Sequence, residues 1–139
     1  MDKPTHLIEF ETMLLGRHRH VDRSAYLLLS RIHVTGPMSI GQLNDAFGLD
    51  VSTLNRHTSA LLRAGLVERI PDPEGGIARK FRLTEAGERW LGEEREKNVR
   101  GLEKVLADWT AEEVVTFAAY LRRFNTDIEH LAGRPWPRP

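Results

Sequence analysis

Apolar residues recur at every third or fourth position through much of this chain, which is the period of an amphipathic helix. Residues 5–20 place Leu7, Phe10 and Leu14 on one such face, and residues 22–35 repeat the pattern. A Gly-Pro pair follows residue 35, and such a pair ends a helix. The pattern therefore predicts two helices at the start of the chain.

Two shorter helices are predicted next from the residues at their ends. Ser39 and Gln42 have the spacing of a capping box, in which each side chain accepts a hydrogen bond from an amide of the first turn. Gly48 suits the left-handed position that ends this helix, and Asp50 suits the N-cap of the following one. Two helices joined by so few residues are typical of a helix-turn-helix, which we place at about residues 39–64.

After residue 65 the apolar period changes from about 3.6 to about 2, which indicates extended strands. Residues 66–70 and 80–83 alternate in this way, and residues 71–76 between them read PDPEGG, in which nearly every residue favours a turn. A two-stranded hairpin directly after a helix-turn-helix is a wing. We place it at residues 66–83.

Two further helices are predicted after the wing. Thr84 is the N-cap of a long, strongly charged helix, and Thr110 with Glu113 forms the capping box of a final one. Residues 133–139 are proline-rich and cannot continue the final helix. The apolar face of the final helix consists of Val114, Phe117, Ala118, Leu121, Phe124, Ile128 and Leu131.

The first and last helices each carry a long apolar face, whereas residues 23–84 nearly close a small core of their own. Exposed apolar faces of this size mark interaction surfaces, so we expect both helices to pack on the same helices of a second copy. The predicted fold is mainly α with a small antiparallel β-wing. It has a dimerisation helix in residues 1–22, a winged helix-turn-helix in residues 23–84, and a connecting helix, a final dimerisation helix and a tail in residues 85–139.

The composition is that of one globular domain, with 139 residues of which 40% are hydrophobic and 29% charged. The absence of cysteine excludes disulfides, thiolate zinc sites and iron–sulfur clusters built by this chain. No apolar run approaches the roughly 20 residues of a membrane helix. The first residues also lack the apolar core of a signal peptide, so we expect a cytoplasmic protein without membrane association.

A net charge of zero hides a small basic surplus in the middle of the chain, where residues 50–84 carry six basic and four acidic residues. Such a surplus is compatible with DNA binding if the basic side chains share a face, because affinity depends on the phosphates contacted. The sequence has no glycine-rich phosphate loop, no nucleophile elbow and no pair of carboxylates in an apolar setting. It therefore argues against an enzyme.

The end of the helix-turn-helix and the wing resemble a known family. The runs RAGLVER at residues 63–69 and LTEAG at residues 83–87 are close to the usual sequence of the MarR (multiple-antibiotic-resistance regulator) family. The predicted order of elements is also similar over almost the whole chain. The resemblance implies a homodimeric, nucleoid-associated transcriptional regulator that binds a pseudo-palindromic DNA operator. It further implies a repressor that a small-molecule effector releases from DNA, without a cofactor.

The predicted DNA contacts lie on the helix-turn-helix and on the wing. Arg56 can make a bidentate contact to guanine and Asn55 can pair with adenine, while small hydroxyls at a helix start suit phosphates. The cations of the wing suit phosphates as well. The full predicted set is Ser39, Gln42, Ser52, Thr53, Asn55, Arg56, Ser59, Arg79, Lys80 and Arg82.

The wing departs from the family pattern. Its tip usually carries an Asp followed by an Arg that enters the minor groove, but here these positions hold Gly75, Gly76 and Ile77, and Arg79 is the nearest substitute. Two adjacent glycines predict a loose loop. His57 also stands at a helix position that is commonly aliphatic in the family. A winged-helix module for protein–protein assembly, with operator binding lost, is therefore the alternative.

Small-molecule and metal sites are less clearly marked. The residues predicted by position to line an effector pocket are Arg17, His18, Tyr26, His33 and Trp109. His18 and His20 are two apart and fall on different sides of a helix, and no acidic residue stands at a metal-binding spacing from His33 or His57, so we expect no metal site. A metal-sensing member of the same family, with a site assembled across helices, is a further alternative.

Overall fold

The computed structural model describes residues 2–18 and 23–138, which contain helices and one two-stranded antiparallel sheet. The elements are α1 (Thr5–His18), α2 (Ser24–Thr35), α3 (Ile40–Phe47), α4 (Val51–Arg63), β1 (Val67–Ile70), β2 (Lys80–Leu83), α5 (Glu85–Val105) and α6 (Ala111–Ala132). The predicted mainly helical class with a small antiparallel sheet is confirmed. The start of α1 and the end of α2 agree with the predicted helices. The predicted end of the first helix at residue 20 and the predicted start of the second at residue 22 lie outside the described residues, and α2 begins at Ser24.

Both predicted capping boxes are present. The Ser39 hydroxyl accepts from the Gln42 amide at 3.2 Å, and the Gln42 side-chain oxygen accepts from the Ser39 amide at 2.9 Å. Thr110 and Glu113 repeat this exchange at the start of α6, at 3.1 and 2.9 Å. Gly48 adopts a φ of 66° after α3, which is the left-handed conformation expected there.

A single apolar core lies between α2, α3 and α4, with the sheet and the start of α5 closing it. Thr58 is the buried polar residue of this core, and its hydroxyl donates to the Leu54 carbonyl one turn earlier at 2.8 Å. The buried apolar side chains are Leu28, Leu29, Ile32, Met38, Leu43, Leu54, Leu61, Val67, Phe81, Leu83 and Leu91.

The sheet pairs β1 with β2 in the register Val67↔Leu83 to Ile70↔Lys80. Met38, in the connection between α2 and α3, extends the sheet by exchanging two backbone hydrogen bonds with Phe81, at 3.1 and 2.8 Å. The base of the wing is thus tied to the helix-turn-helix. In β2, Phe81 and Leu83 are buried while Arg82 between them is exposed, as the alternation predicted.

The start of α5 lies close against the end of α4. The Thr84 hydroxyl accepts from the Gly87 amide at 3.0 Å and donates to the Gly65 carbonyl at 2.6 Å. A Cβ on Gly87 would lie 2.0 Å from the Leu66 carbonyl oxygen. Glycine is therefore required at this position by the close approach of two backbones.

The helices at the two ends of the chain remain outside the core. Neither α1 nor α6 contains a buried residue. Phe10 is 55% exposed on α1, and Phe124 and Ile128 are 44% and 49% exposed on α6. The apolar faces predicted for these helices are therefore open in the isolated protomer.

Candidate nucleic-acid interface

Helix α4 has one buried and one exposed face. Leu54, Thr58 and Leu61 anchor it in the core, which leaves Asn55 and Arg56 exposed to solvent. Amide and guanidinium groups present base-reading donors in the major groove. Asn55 and Arg56 are therefore exposed as the sequence predicted, and their contact with bases stays a prediction.

The N-terminus of α4 is capped by a negatively charged side chain of the chain itself. The Asp50 carboxylate accepts from the Thr53 amide and from the Ser52 hydroxyl, both at 2.7 Å. The Thr53 amide, with help from Ser52 and from the nearby Arg56 charge, lowers the pKa of Asp50 to about 2. A carboxylate at this end satisfies the helix dipole that would otherwise attract a phosphate. Ser52 and Thr53 are thus partly engaged in capping.

Ser39 and Gln42 are engaged in the capping box of α3, but only through their oxygen acceptors. The Ser39 hydroxyl hydrogen and the Gln42 amide NH2 remain as donors, and Gln42 is exposed. A phosphate oxygen requires a donor, so capping and phosphate contact are compatible at both residues.

Two other polar residues of α4 are half-buried. These are Ser59 and His57, and the Nδ1 atom of His57 is buried without a hydrogen-bond partner among the described residues. This nitrogen is therefore shielded from solvent. His57 therefore belongs with the packed side of the helix more than with its reading surface.

Two of the three predicted cations of the wing are paired with carboxylates. Arg82 donates from Nε to the Glu68 carboxylate at 3.0 Å and forms an ion pair with it. Lys80 lies 3.5 Å from the Asp72 carboxylate, and these two side chains are only 13% and 14% exposed. Arg79 is exposed, and no ion pair of its side chain is found in the part of the chain described. Among these three predicted cations, Arg79 is therefore the one whose charge is not paired with a carboxylate in the described part of the chain, and Arg69 of β1 is a further exposed cation that lies over the Phe81 ring.

The wing loop closes around Asp72. The Asp72 carboxylate accepts from the Glu74 amide at 2.9 Å, and its backbone carbonyl accepts from the Gly75 amide at 3.0 Å. The Glu74 amide, with Lys80 and the Gly76 amide adding smaller effects, lowers the pKa of the Asp72 carboxyl. Gly75 has a φ of 89°, and a Cβ on Gly76 would lie 2.3 Å from the Asp72 carboxylate. The turn around Asp72 thus uses two positions at which a side chain would be strained or obstructed, and the looseness predicted for this loop stays a prediction.

The sequence pattern did not indicate the carboxylates that pair with Lys80 and Arg82. Glu68 and Arg82 are opposite each other in the strand register, and this register is known only once the sheet is formed. Asp72 lies in the loop and reaches Lys80 because the loop folds back over β2. The available signal was the alternation of polar and apolar residues along the two strands. This alternation predicts the face of the sheet on which a side chain lies but not its partner on the other strand.

The predicted effector-pocket residues lie on α1, on α2 and in the connection between α5 and α6. Arg17 and His18 are exposed on α1, and Tyr26 on α2 lies under the Arg23 guanidinium at 5.7 Å. His33 of α2 contacts Glu88 of α5, with 2.9 Å between Nδ1 and the carboxylate.

Trp109, between α5 and α6, has its ring 5.4 Å from that of Phe117. A crevice of about 460 Å³ lies elsewhere, between the ends of α3 and α6, and none of the five predicted residues lines it. This crevice is therefore not the predicted effector pocket.

Residues 2–18 and 23–138 contain no cluster of three His, Asp or Glu side chains able to hold a metal ion, and His20 lies outside these ranges. Within the same ranges, no helix is both long and apolar enough to cross a membrane.

The proteins that this chain matches in sequence and in structure are transcriptional regulators or MarR family proteins. The model of the MarR family matches residues 21–75. The uncharacterized HTH-type transcriptional regulator YxaD of Bacillus subtilis (strain 168) is 33% identical over 133 residues, which cover 88% of this chain and 93% of that protein. A MarR family protein from Bacillus stearothermophilus superposes with a TM-score of 0.72 at 25% identity, covering 92% of this chain and 99% of the other. The PcaV transcriptional regulator from Streptomyces coelicolor, solved in complex with its natural ligand, gives a TM-score of 0.63 at 25% identity and covers 90% and 95%.

Proposed function

The chain belongs to the MarR family of transcriptional regulators, and from this we propose that it is a homodimer that binds a pseudo-palindromic operator. In this proposal α4 of each protomer reads one half-site in the major groove. The observation that carries the proposal is the one-sided burial of α4, which leaves Asn55 and Arg56 exposed beside a wing bearing Arg79. The proposed function includes no catalytic activity.

The open apolar faces of α1 and α6 support the dimer. Leu7 and Phe10 on α1, and Phe117 and Phe124 on α6, are each between 43% and 57% exposed. Contiguous apolar surface of this kind is uncommon on a monomer and is covered in obligate dimers. Residues 1–22 and 85–139 would then form the dimerisation part, and residues 23–84 the DNA-binding unit.

We further propose that the protein is a repressor released by a small molecule. PcaV was solved with its natural ligand, and the fold shared with it supports a ligand site in this chain. The proposed lining residues Arg17, His18, Tyr26, His33 and Trp109 come from α1, α2 and the α5–α6 connection, so a site would need the second protomer to bring them together. A protein acting in this way would be located at the nucleoid.

Selection of bound sequences from random duplexes, repeated at two salt concentrations, tests the proposal. We expect enrichment of a motif with two inverted half-sites about 10 base pairs apart, retained at the higher salt concentration. Failure to enrich any sequence at the lower salt concentration would overturn operator binding.

A winged-helix module for protein–protein assembly is the second candidate. The pairing of Lys80 with Asp72 and of Arg82 with Glu68 favours it, because neutralised cations contribute little to phosphate binding. Such a module would enrich no sequence in the selection. The same experiment therefore separates the two functions.

A further inference from the structure

The residues that follow α6 turn back onto the helix-turn-helix. The Trp136 ring meets the Phe47 ring edge-on, with 5.5 Å between centroids and an interplanar angle of 88°. The Arg31 guanidinium lies 5.0 Å from the centre of the same Trp136 ring. Phe47 is the last residue of α3 and Arg31 is on α2, so one side chain of the tail contacts two helices of the DNA-binding unit.

Arg31 is well suited to hold this ring. Its Nε donates to the Thr35 hydroxyl at 3.0 Å, and its Nη1 is buried without a hydrogen-bond partner among the described residues. A cation that has lost part of its water is attracted more strongly to an aromatic face than an exposed one. Trp136 thus provides an aromatic face for the Arg31 guanidinium, which is partly removed from water.

The tail is also fastened to α6. Glu129 accepts two hydrogen bonds from the Arg138 guanidinium, at 2.9 and 2.6 Å, and one from the Trp136 amide at 2.8 Å. Arg138 also donates to the Trp136 carbonyl at 3.1 Å. Bidentate charge-assisted bonds of this type fix geometry as well as adding stability. The loop from Glu129 to Arg138 therefore holds Trp136 in one orientation relative to α6.

A second contact reaches the turn of the helix-turn-helix. The Arg134 guanidinium covers Gly48, such that a Cβ at Gly48 would lie 2.5 Å from its central carbon. The crevice of about 460 Å³ between the ends of α3 and α6 is lined here by Asn44, Asp45 and Gly48 on one side and by residues 132–134 on the other. Gly48 is the C-cap of α3, and α4 begins three residues later at Val51.

We propose that the side chains of Arg134, Trp136 and Arg138 form a positioning element, which holds the end of α6 against α3 and so fixes the orientation of α4 relative to α6. The covalent path from α4 to α6 runs through the wing and the long helix α5, and the tail adds a second, independent connection. The covalent path and the tail contact together restrict the rotation of α4 relative to α6 more than the covalent path alone. This inference rests on the proposed function, because α6 is there a dimerisation helix and the orientation of α4 sets the spacing of the two half-sites.

The first measurement needs neither DNA nor a dimer. The chain has no cysteine, so spin labels can be placed at R63C on α4 and T126C on α6, both exposed positions. Labelled protein diluted into an excess of unlabelled protein reports only the distance within one protomer. We expect a narrow distribution for the otherwise unchanged chain and a clearly broader one for Trp136→Ala, with Arg138→Ala intermediate.

Two control variants keep the result specific. Trp136→Phe retains an aromatic ring for Arg31 and Phe47, so its distribution should stay narrow. Pro137→Ala alters the exposed neighbouring residue of the same tail and should also leave the distribution unchanged. A narrow distribution in Trp136→Ala would overturn the proposal, even if that variant melts at a lower temperature.

The second measurement uses the operator obtained by selection. Its affinity is compared with that of a duplex carrying one extra base pair between the half-sites. We expect Trp136→Ala to reduce the discrimination between these duplexes at least tenfold, with Trp136→Phe and Pro137→Ala close to the unaltered protein. Equal discrimination in Trp136→Ala and the unaltered protein would show that the tail does not position α4. If the unaltered protein binds no operator, the proposed function fails, and the distance measurement alone decides whether the tail positions α4.

Discussion

Replacing Gly87 by alanine tests the close contact between α5 and the end of α4. Alanine is favoured over glycine inside a helix by about 1 kcal/mol. At Gly87, however, the new Cβ would lie 2.0 Å from the Leu66 carbonyl oxygen, a backbone atom that cannot rotate away. Overpacking of this kind costs up to about 3 kcal/mol. We therefore expect Gly87→Ala to lower the free energy of unfolding by about 2 kcal/mol, or Tm by about 5–10 °C.

Gly92→Ala is the matched control on the same helix, because no atom lies within 4 Å of its added Cβ. It should raise the free energy of unfolding by about 0.5–1 kcal/mol through helix propensity alone. Thermal unfolding of both variants and the parent, followed by circular dichroism at one protein concentration, measures the two effects. Opposite signs are expected. A Gly87→Ala variant as stable as Gly92→Ala would refute the close contact between α5 and residues 65–66.

Further predictions concern the dimer, the DNA contacts and the dependence on pH. Leu121→Glu places a charge on the apolar face of α6 and should give monomeric or unfolded protein; light scattering that shows a well-folded monomer still binding the operator would contradict the dimer. Arg56→Ala should weaken operator binding by about 1–3 kcal/mol and relax the preference at one base pair of each half-site, which repeating the selection would reveal. Asp72→Asn removes the charge that pairs with Lys80, so the plot of log affinity against log salt should steepen by about two per dimer; an unchanged slope would mean that Lys80 does not reach the phosphates. Asp50→Asn should reduce Tm by a constant amount above about pH 5, since Asp50 is ionised in both states there. This difference should shrink as the pH falls from about 4 towards 2, because a carboxyl whose pKa of about 2 lies below its usual value stabilises the fold only while it is ionised; a difference that does not change with pH would contradict the assignment.

The elements of this protein could be predicted from its sequence because their signals are local. A capping box depends on residues three positions apart, as at Ser39 and Gln42, and a strand depends on alternation within four or five residues. Both capping boxes, the left-handed Gly48 and the two strands of the wing lie where these signals indicated. The exposure of Asn55 and Arg56 followed in the same way, because the apolar period of α4 determines which face is buried.

Tertiary structure determined which cations of the wing are paired with carboxylates and where the residues after α6 lie. Asp72 and Lys80 pair because the loop folds over the strand, and Arg82 pairs with Glu68 because the register places them opposite each other. Trp136 lies over α2 and α3 although the proline-rich composition of its segment predicts only the end of a helix. Contacts of this kind join residues that are far apart along the chain or depend on strand register. Periodicity and capping rules describe one element at a time, so these contacts are fixed only when the elements dock.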